Sequence, residues 1–124
     1  MENKDYRKML IGRAYKFSLD IIKLIGSFSQ NDFTLRIIVQ QLIRSATSIG
    51  ANIIEAQASS SKKDFMNFIS YALKSANETK YWLALLRDSK KLTGTAIDTL
   101  YKEVDELSKL LGSSMMALKG RKQL

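Results

Sequence analysis

The sequence predicts an all-α fold, an antiparallel up-down-up-down four-helix bundle, and three observations predict it. Apolar residues recur at alternating spacings of three and four along four successive stretches, which is the period of a helix and not of a strand. The chain has no proline and six glycines, so no helix is broken by a ring and the joints fall at glycines. Only a few residues separate the stretches, so consecutive helices pair as antiparallel neighbours. The expected helices cover residues 5–27, 31–59, 62–91 and 95–119, each roughly 35–40 Å long, within one domain spanning residues 1–124.

In the first stretch Leu10, Ala14, Phe17, Ile21, Ile25 and Phe28 form the apolar face, and the helix ends near Gly26. Ser29-Gln30-Asn31-Asp32 then offers an N-cap for the second helix. That helix places Leu35, Ile38, Val39, Leu42, Ala46, Ile49 and Ile53 on one side at about 100° per residue. Its charges are few, and Ile37, Ile43 and Ile54 are surplus apolar residues off the core face, so it is expected to be the most buried helix. Ser61 and Asp64 form a second capping pair, which opens the third helix at Lys62. Phe65, Ile69, Ala72, Ala76, Thr79, Leu83 and Leu86 give it a strict four-three seam. A second stripe, Tyr71, Glu78, Trp82 and Leu85, packs on another helix or on another subunit. Gly94 is expected to stop this helix, and Thr95 with Asp98 to cap the fourth. Ile97, Leu100, Val104, Leu107, Leu111 and Leu118 continue the same period; Gly112 weakens propensity by about 1 kcal/mol without changing phase.

Composition narrows the function. With no Cys there is no disulfide, thiol nucleophile or thiolate metal site, and a reducing cytoplasm is the simplest home. The opening MENKDYRKMLIG lacks the apolar core of a secretion signal, and the longest apolar run, Tyr81 to Leu86, is too short for a bilayer, so no membrane role is expected. The absence of His removes the commonest general base and metal ligand, and with it the Glu-x-x-His pair of di-iron bundles. Asp98, Glu103, Asp105 and Glu106 are the one acid cluster, and nearby Lys102 and Lys109 mark it as a solvated helix face. Ser48 has neither the glycine spacing of a nucleophile elbow nor a base to activate it. A non-enzymatic protein without cofactor or metal is expected.

Beside the core face of the second helix run Arg44, Ser48, Asn52 and Glu55. With Glu78 they are expected to form a satisfied polar network that fixes helix register or subunit contact. Arg44 and Glu78 lie equally far from the turn near Ser60 to within a turn of register, which predicts a bidentate pair across the hairpin. The competing assignment takes Arg44 to a neighbouring subunit or a phosphate. The same region carries a resemblance. R-S-A-x-S-I-x-A-N-I-x-E over residues 44–55, S-K-K-D-F over 61–65 and A-N-E over 76–78 resemble the four-helix-bundle family of 23S rRNA intervening-sequence proteins. These are relatives of the accessory variability determinant proteins of diversity-generating retroelements. The resemblance implies a cytoplasmic bacterial bundle assembling as a ring, usually a homopentamer, and for some members binding of nucleic acid or of a reverse transcriptase. Gly50 stands where many members have Pro, Ala56 where they have Gly, and Ala58 or Ser59 where they have a basic residue.

A formal net charge of +8 and a pI of about 9.8 are the footprint of a polyanion binder when the cations cluster. In an up-down-up-down bundle Lys4, Arg7, Lys8, Lys62, Lys63, Lys119, Arg121 and Lys122 converge at one end, opposed by Glu2, Asp5, Glu55 and Asp64. Ile37, Ile54, Tyr71, Trp82 and Leu85 are the candidate self-association surface. The expected function is a basic homo-oligomeric adaptor for RNA, DNA or a nucleic-acid enzyme. The rival is a purely structural or protein-interaction oligomer whose charge serves solubility.

Overall fold

The computed structural model describes residues 4–27 and 31–123, with side chains as far as Gly120, and among these it has four α-helices and no strand. They are α1 (Lys4–Gly26), α2 (Phe33–Gln57), α3 (Lys62–Asp88) and α4 (Thr95–Gln123). Phe28, Ser29 and Gln30 lie outside the described residues. No helix among them is long and apolar enough to cross a membrane.

Local chemistry sets the helix starts. Asp32, in extended backbone, caps α2 by accepting the Leu35 amide at 3.0 Å. Its other oxygen takes the Lys91 ammonium from the connection before α4, and this bond, with the backbone amide, holds the carboxyl below the usual carboxylate range. Ser61 accepts the Asp64 amide at 3.0 Å, and Asp64 reaches back to the Ser60 amide at 3.3 Å. Two amide donors at the α3 entry are thereby satisfied.

α3 ends at Asp88, short of the expected residue 91 and well before Gly94. Lys90 takes a left-handed backbone, φ 63°, which lets the Leu92 amide fold back to the Leu86 carbonyl at 3.1 Å and buries the Leu92 side chain. A glycine is the usual residue for this conformation, so the sequence offered Gly94 as the stop. Gly94 is left-handed too, at φ 112°, but serves the approach to α4. Elsewhere α2 is two residues shorter than expected at each end and α4 is longer, reaching Gln123.

α1 packs on α2 and α4, and α3 packs on α2 and α4, with the α2–α3 contact the most extensive. One continuous apolar cluster fills the space between them, with Phe17, Leu42, Ile49, Leu83 and Leu107 almost wholly enclosed. Ile25, Ile38 and Phe65, expected on core faces, are half-buried at its margin. Two local devices set helix separations. A methyl added at Gly50 would stand 3.6 Å from Ala14 Cβ, so two small residues seat α1 against α2. Between α2 and α3 the Thr79 and Ser45 hydroxyls, both buried, lie 2.8 Å apart, and each also reaches a carbonyl of its own helix.

Lys90→Gly should raise stability by about 0.5–1 kcal/mol, because a side chain in the left-handed region costs about that much more than glycine does. Denaturant unfolding measures it. Loss of stability would mean that this turn is not left-handed in solution.

Candidate nucleic-acid interface

The Ser61 cap starts α3 so that Lys62 and Lys63 occupy its first turn, both exposed. Lys4 and Lys8 are exposed on the first turns of α1, Arg7 is half-buried beside them, and Lys119 is exposed near the end of α4. Arg121 and Lys122 continue the α4 backbone, but their side chains lie outside the described residues. None of the six described cations forms an ion pair among the described residues. Lys62 and Lys63 stand at the positive end of the helix dipole, which Asp64 in the same turn offsets in part.

Contacts between helices locate these segments. The Tyr6 hydroxyl on α1 lies 3.4 Å from the Leu110 carbonyl and 3.4 Å from the Ser114 hydroxyl on α4. Ile11 and Tyr15 of α1 line one groove with Ala51 and Ile54 of α2. Leu73 of α3 lines another with Met115, Met116 and Lys119 of α4. The first turn of α1 therefore lies beside the later part of α4, and the middles of α1 and α3 line grooves with later parts of α2 and α4. Of the acids expected to oppose the cations, Asp5 and Glu55 are exposed, Asp64 is engaged in capping, and Glu2 lies outside the described residues.

The polar flank of α2 is organised differently from a network. Arg44 Nη2 stands 3.1 Å from Glu78 Oε2, a single contact and not the expected bidentate one, and the same nitrogen donates to Gln41 Oε1 at 2.7 Å. Glu78 Oε2 also accepts the Trp82 indole N–H at 3.0 Å. Ser48 donates to the Arg44 carbonyl at 2.8 Å and Asn52 to the Ser48 carbonyl at 2.9 Å. These two therefore satisfy themselves on their own helix, as short polar side chains do. Glu55 is exposed and outside the cluster. Of the apolar candidates for self-association, Ile37, Ile54, Tyr71 and Leu85 are exposed. Trp82 is half-buried against the core, a partner for Glu78 more than a free surface.

In the acid cluster of α4, Asp98 and Glu106 are exposed and Asp105 meets Lys109 as expected, but Glu103 and Asp105 also reach other helices. Glu103 makes a bidentate pair with Arg13 of α1, at 3.0 Å from Nε and 2.7 Å from Nη2, and the contact raises the Arg13 pKa. Asp105 accepts Lys109 one turn on at 3.2 Å and Lys80 of α3 at 3.4 Å, with Lys109 the larger influence holding its carboxyl below the usual range. Lys109, one turn away, was visible in the sequence, whereas Arg13 and Lys80 lie on other helices and were not. Among the described residues no group of three or more acidic, His or Cys side chains is placed to hold a metal.

The geometry ranks the two inter-helix pairs. A double-mutant cycle on Arg13→Met and Glu103→Gln should give a larger coupling than one on Arg44→Met and Glu78→Gln, where Arg44 is 63% exposed and coupling should be at most about 1 kcal/mol. Chemical unfolding of the seven proteins measures both. The opposite ranking would contradict the placement of the bidentate pair.

Comparison with known proteins adds identity to this geometry. Residues 9–113 match the family model of the 23S rRNA-intervening sequence protein. A search of curated proteins finds no match. Among solved structures, the chain is similar to a crystal structure, at 1.70 Å resolution, of a protein of unknown function from the S23 ribosomal protein family of Bacteroides thetaiotaomicron. The two are 35% identical, the match covers 86% of this chain and 97% of the other, and the TM-score is 0.76. The chain belongs to the 23S rRNA-intervening sequence protein family.

Proposed function

We propose that this protein is a non-enzymatic, basic, homo-oligomeric adaptor of the cytoplasm that binds nucleic acid, RNA first, at one end of its helices. Lys62 and Lys63 carry the reading: two unpaired cations in the first turn of α3 work against the helix dipole, and a phosphate placed there satisfies both. The four helices alternate in direction, up-down-up-down, which agrees with Tyr6 meeting Leu110 and with the grooves that join the middle of α1 to the later part of α2 and the middle of α3 to the later part of α4. In that order Lys4, Arg7, Lys8, Lys62, Lys63 and Lys119 share one end, followed by Arg121 and Lys122. The family's name, taken from sequences intervening in 23S rRNA, supports RNA as the polyanion. An enzyme acting on nucleic acid, such as a reverse transcriptase, is the second partner this adaptor would hold, as in the accessory variability determinant proteins it resembles.

Self-association is part of the proposal. Exposed Ile22, Ile37 and Ile54 leave apolar surface on α1 and α2 that a second copy would cover, and a ring of five is the expected form. The same surface favours the alternative reading, an oligomer with no nucleic-acid role. Light scattering and a gel mobility shift separate the two. Wild-type protein should run as an oligomer and shift RNA at low salt, while Lys62→Glu with Lys63→Glu should keep helix content and oligomer size and weaken the shift at least tenfold. An oligomer that shifts neither RNA nor DNA selects the alternative.

A further inference from the structure

The outward face of α3 carries features that phosphate binding alone does not use. Lys63, Asn67, Tyr71 and Lys74 follow one another at spacings of four, four and three, all exposed, along about 17 Å of helix. Tyr81, exposed, lies farther along the helix. Each of these two tyrosine rings is held by a second, half-buried ring. Phe68 meets Tyr71 edge-on, with centroids 6.1 Å apart and planes at 85°, and Trp82 meets Tyr81 at 5.2 Å and 69°. Trp82 is fixed in turn by its hydrogen bond to Glu78. The Lys74 ammonium stands 5.9 Å from the Tyr71 ring centre. The acids nearby are engaged, Asp64 in the cap and Glu78 with Arg44 and Trp82, so the face is cationic.

Rings whose orientation is set beforehand, with an ammonium beside them and a cationic helix start at one end, are what an unpaired base and its phosphates require. In a duplex both faces of each base are covered by its neighbours, so such a platform has nothing to stack on. We infer that the α3 face from Lys63 to Lys74 binds single-stranded nucleic acid, with Tyr71 stacking on a base and Lys63 and Lys74 meeting the backbone. The inference rests on the nucleic-acid reading above, names the form of nucleic acid bound, and takes Tyr71 out of the self-association surface. Tyr81 extends the platform toward the far end of α3.

Fluorescence anisotropy with labelled 12-nucleotide RNA and DNA of mixed sequence, each single-stranded and as the matching duplex, tests it at one fixed salt concentration. The single strand should bind more tightly than the duplex, Tyr71→Leu should weaken single-strand binding about tenfold in RNA and DNA alike, and Tyr71→Phe should restore it. Duplex binding and oligomer size by light scattering should not change in either variant. Single-strand binding unaffected by Tyr71→Leu, duplex binding as tight as single-strand binding, a loss confined to one sugar, or a change of oligomer size overturns the inference while leaving phosphate binding intact. Absence of binding to every probe overturns the nucleic-acid reading itself.

Discussion

The seating of α2 on α3 is the constraint from which the other arrangements follow. The buried Ser45 and Thr79 hydroxyls bridge the two helices, 2.8 Å apart. Each hydroxyl also reaches a carbonyl of its own helix, so both stay satisfied, and their contact with each other is what belongs to this one register. A slip by a turn would part the two hydroxyls, leaving each on its own helix's carbonyl, and would push Arg44 away from Glu78. The same register decides which side chains of α3 face outward, and hence where Lys63, Tyr71 and Lys74 stand.

α1 and α4 are held to this pair by different means. α1 approaches α2 through Gly50 and Ala14, where there is little to grip, and gains directed contacts to α4 through the Arg13–Glu103 fork and the Tyr6 hydroxyl. A fork of two parallel hydrogen bonds fixes orientation as well as distance. The Asp32–Lys91 contact then joins the start of α2 to the connection before α4. Polar contacts of this kind set the order of packing, while the apolar cluster supplies most of the stability.

The helices were legible in the sequence because burial imposes a 3.6-residue period that Leu10 to Ile21 or Ile69 to Leu86 repeat without error. The end of α3 was not legible, because a lysine at position 90 accepts a conformation for which glycine is the sequence signal. The polar flank of α2 was read from angular alignment, which correctly puts Arg44, Ser48 and Asn52 on one side. Alignment does not say whether a short side chain reaches across or turns back to its own carbonyls, and Ser48 and Asn52 turn back. Arg13 and Glu103 are 90 residues apart in the chain, and no local pattern joins them. Lys62 and Lys63 were legible as first-turn residues because Ser61 and Asp64 form a capping pair in the sequence, and α3 does start at Lys62 behind the Ser61 cap.

The two exposed lysines at the positive end of α3 support the proposal that the basic end meets an anion. The most direct test is the dependence of RNA affinity on salt. Displacement of counterions from phosphates by four or so lysines and arginines predicts that log K falls with log salt at a slope of roughly −3 for a single strand. A slope near zero, or no measurable binding at the lowest salt, would contradict the account.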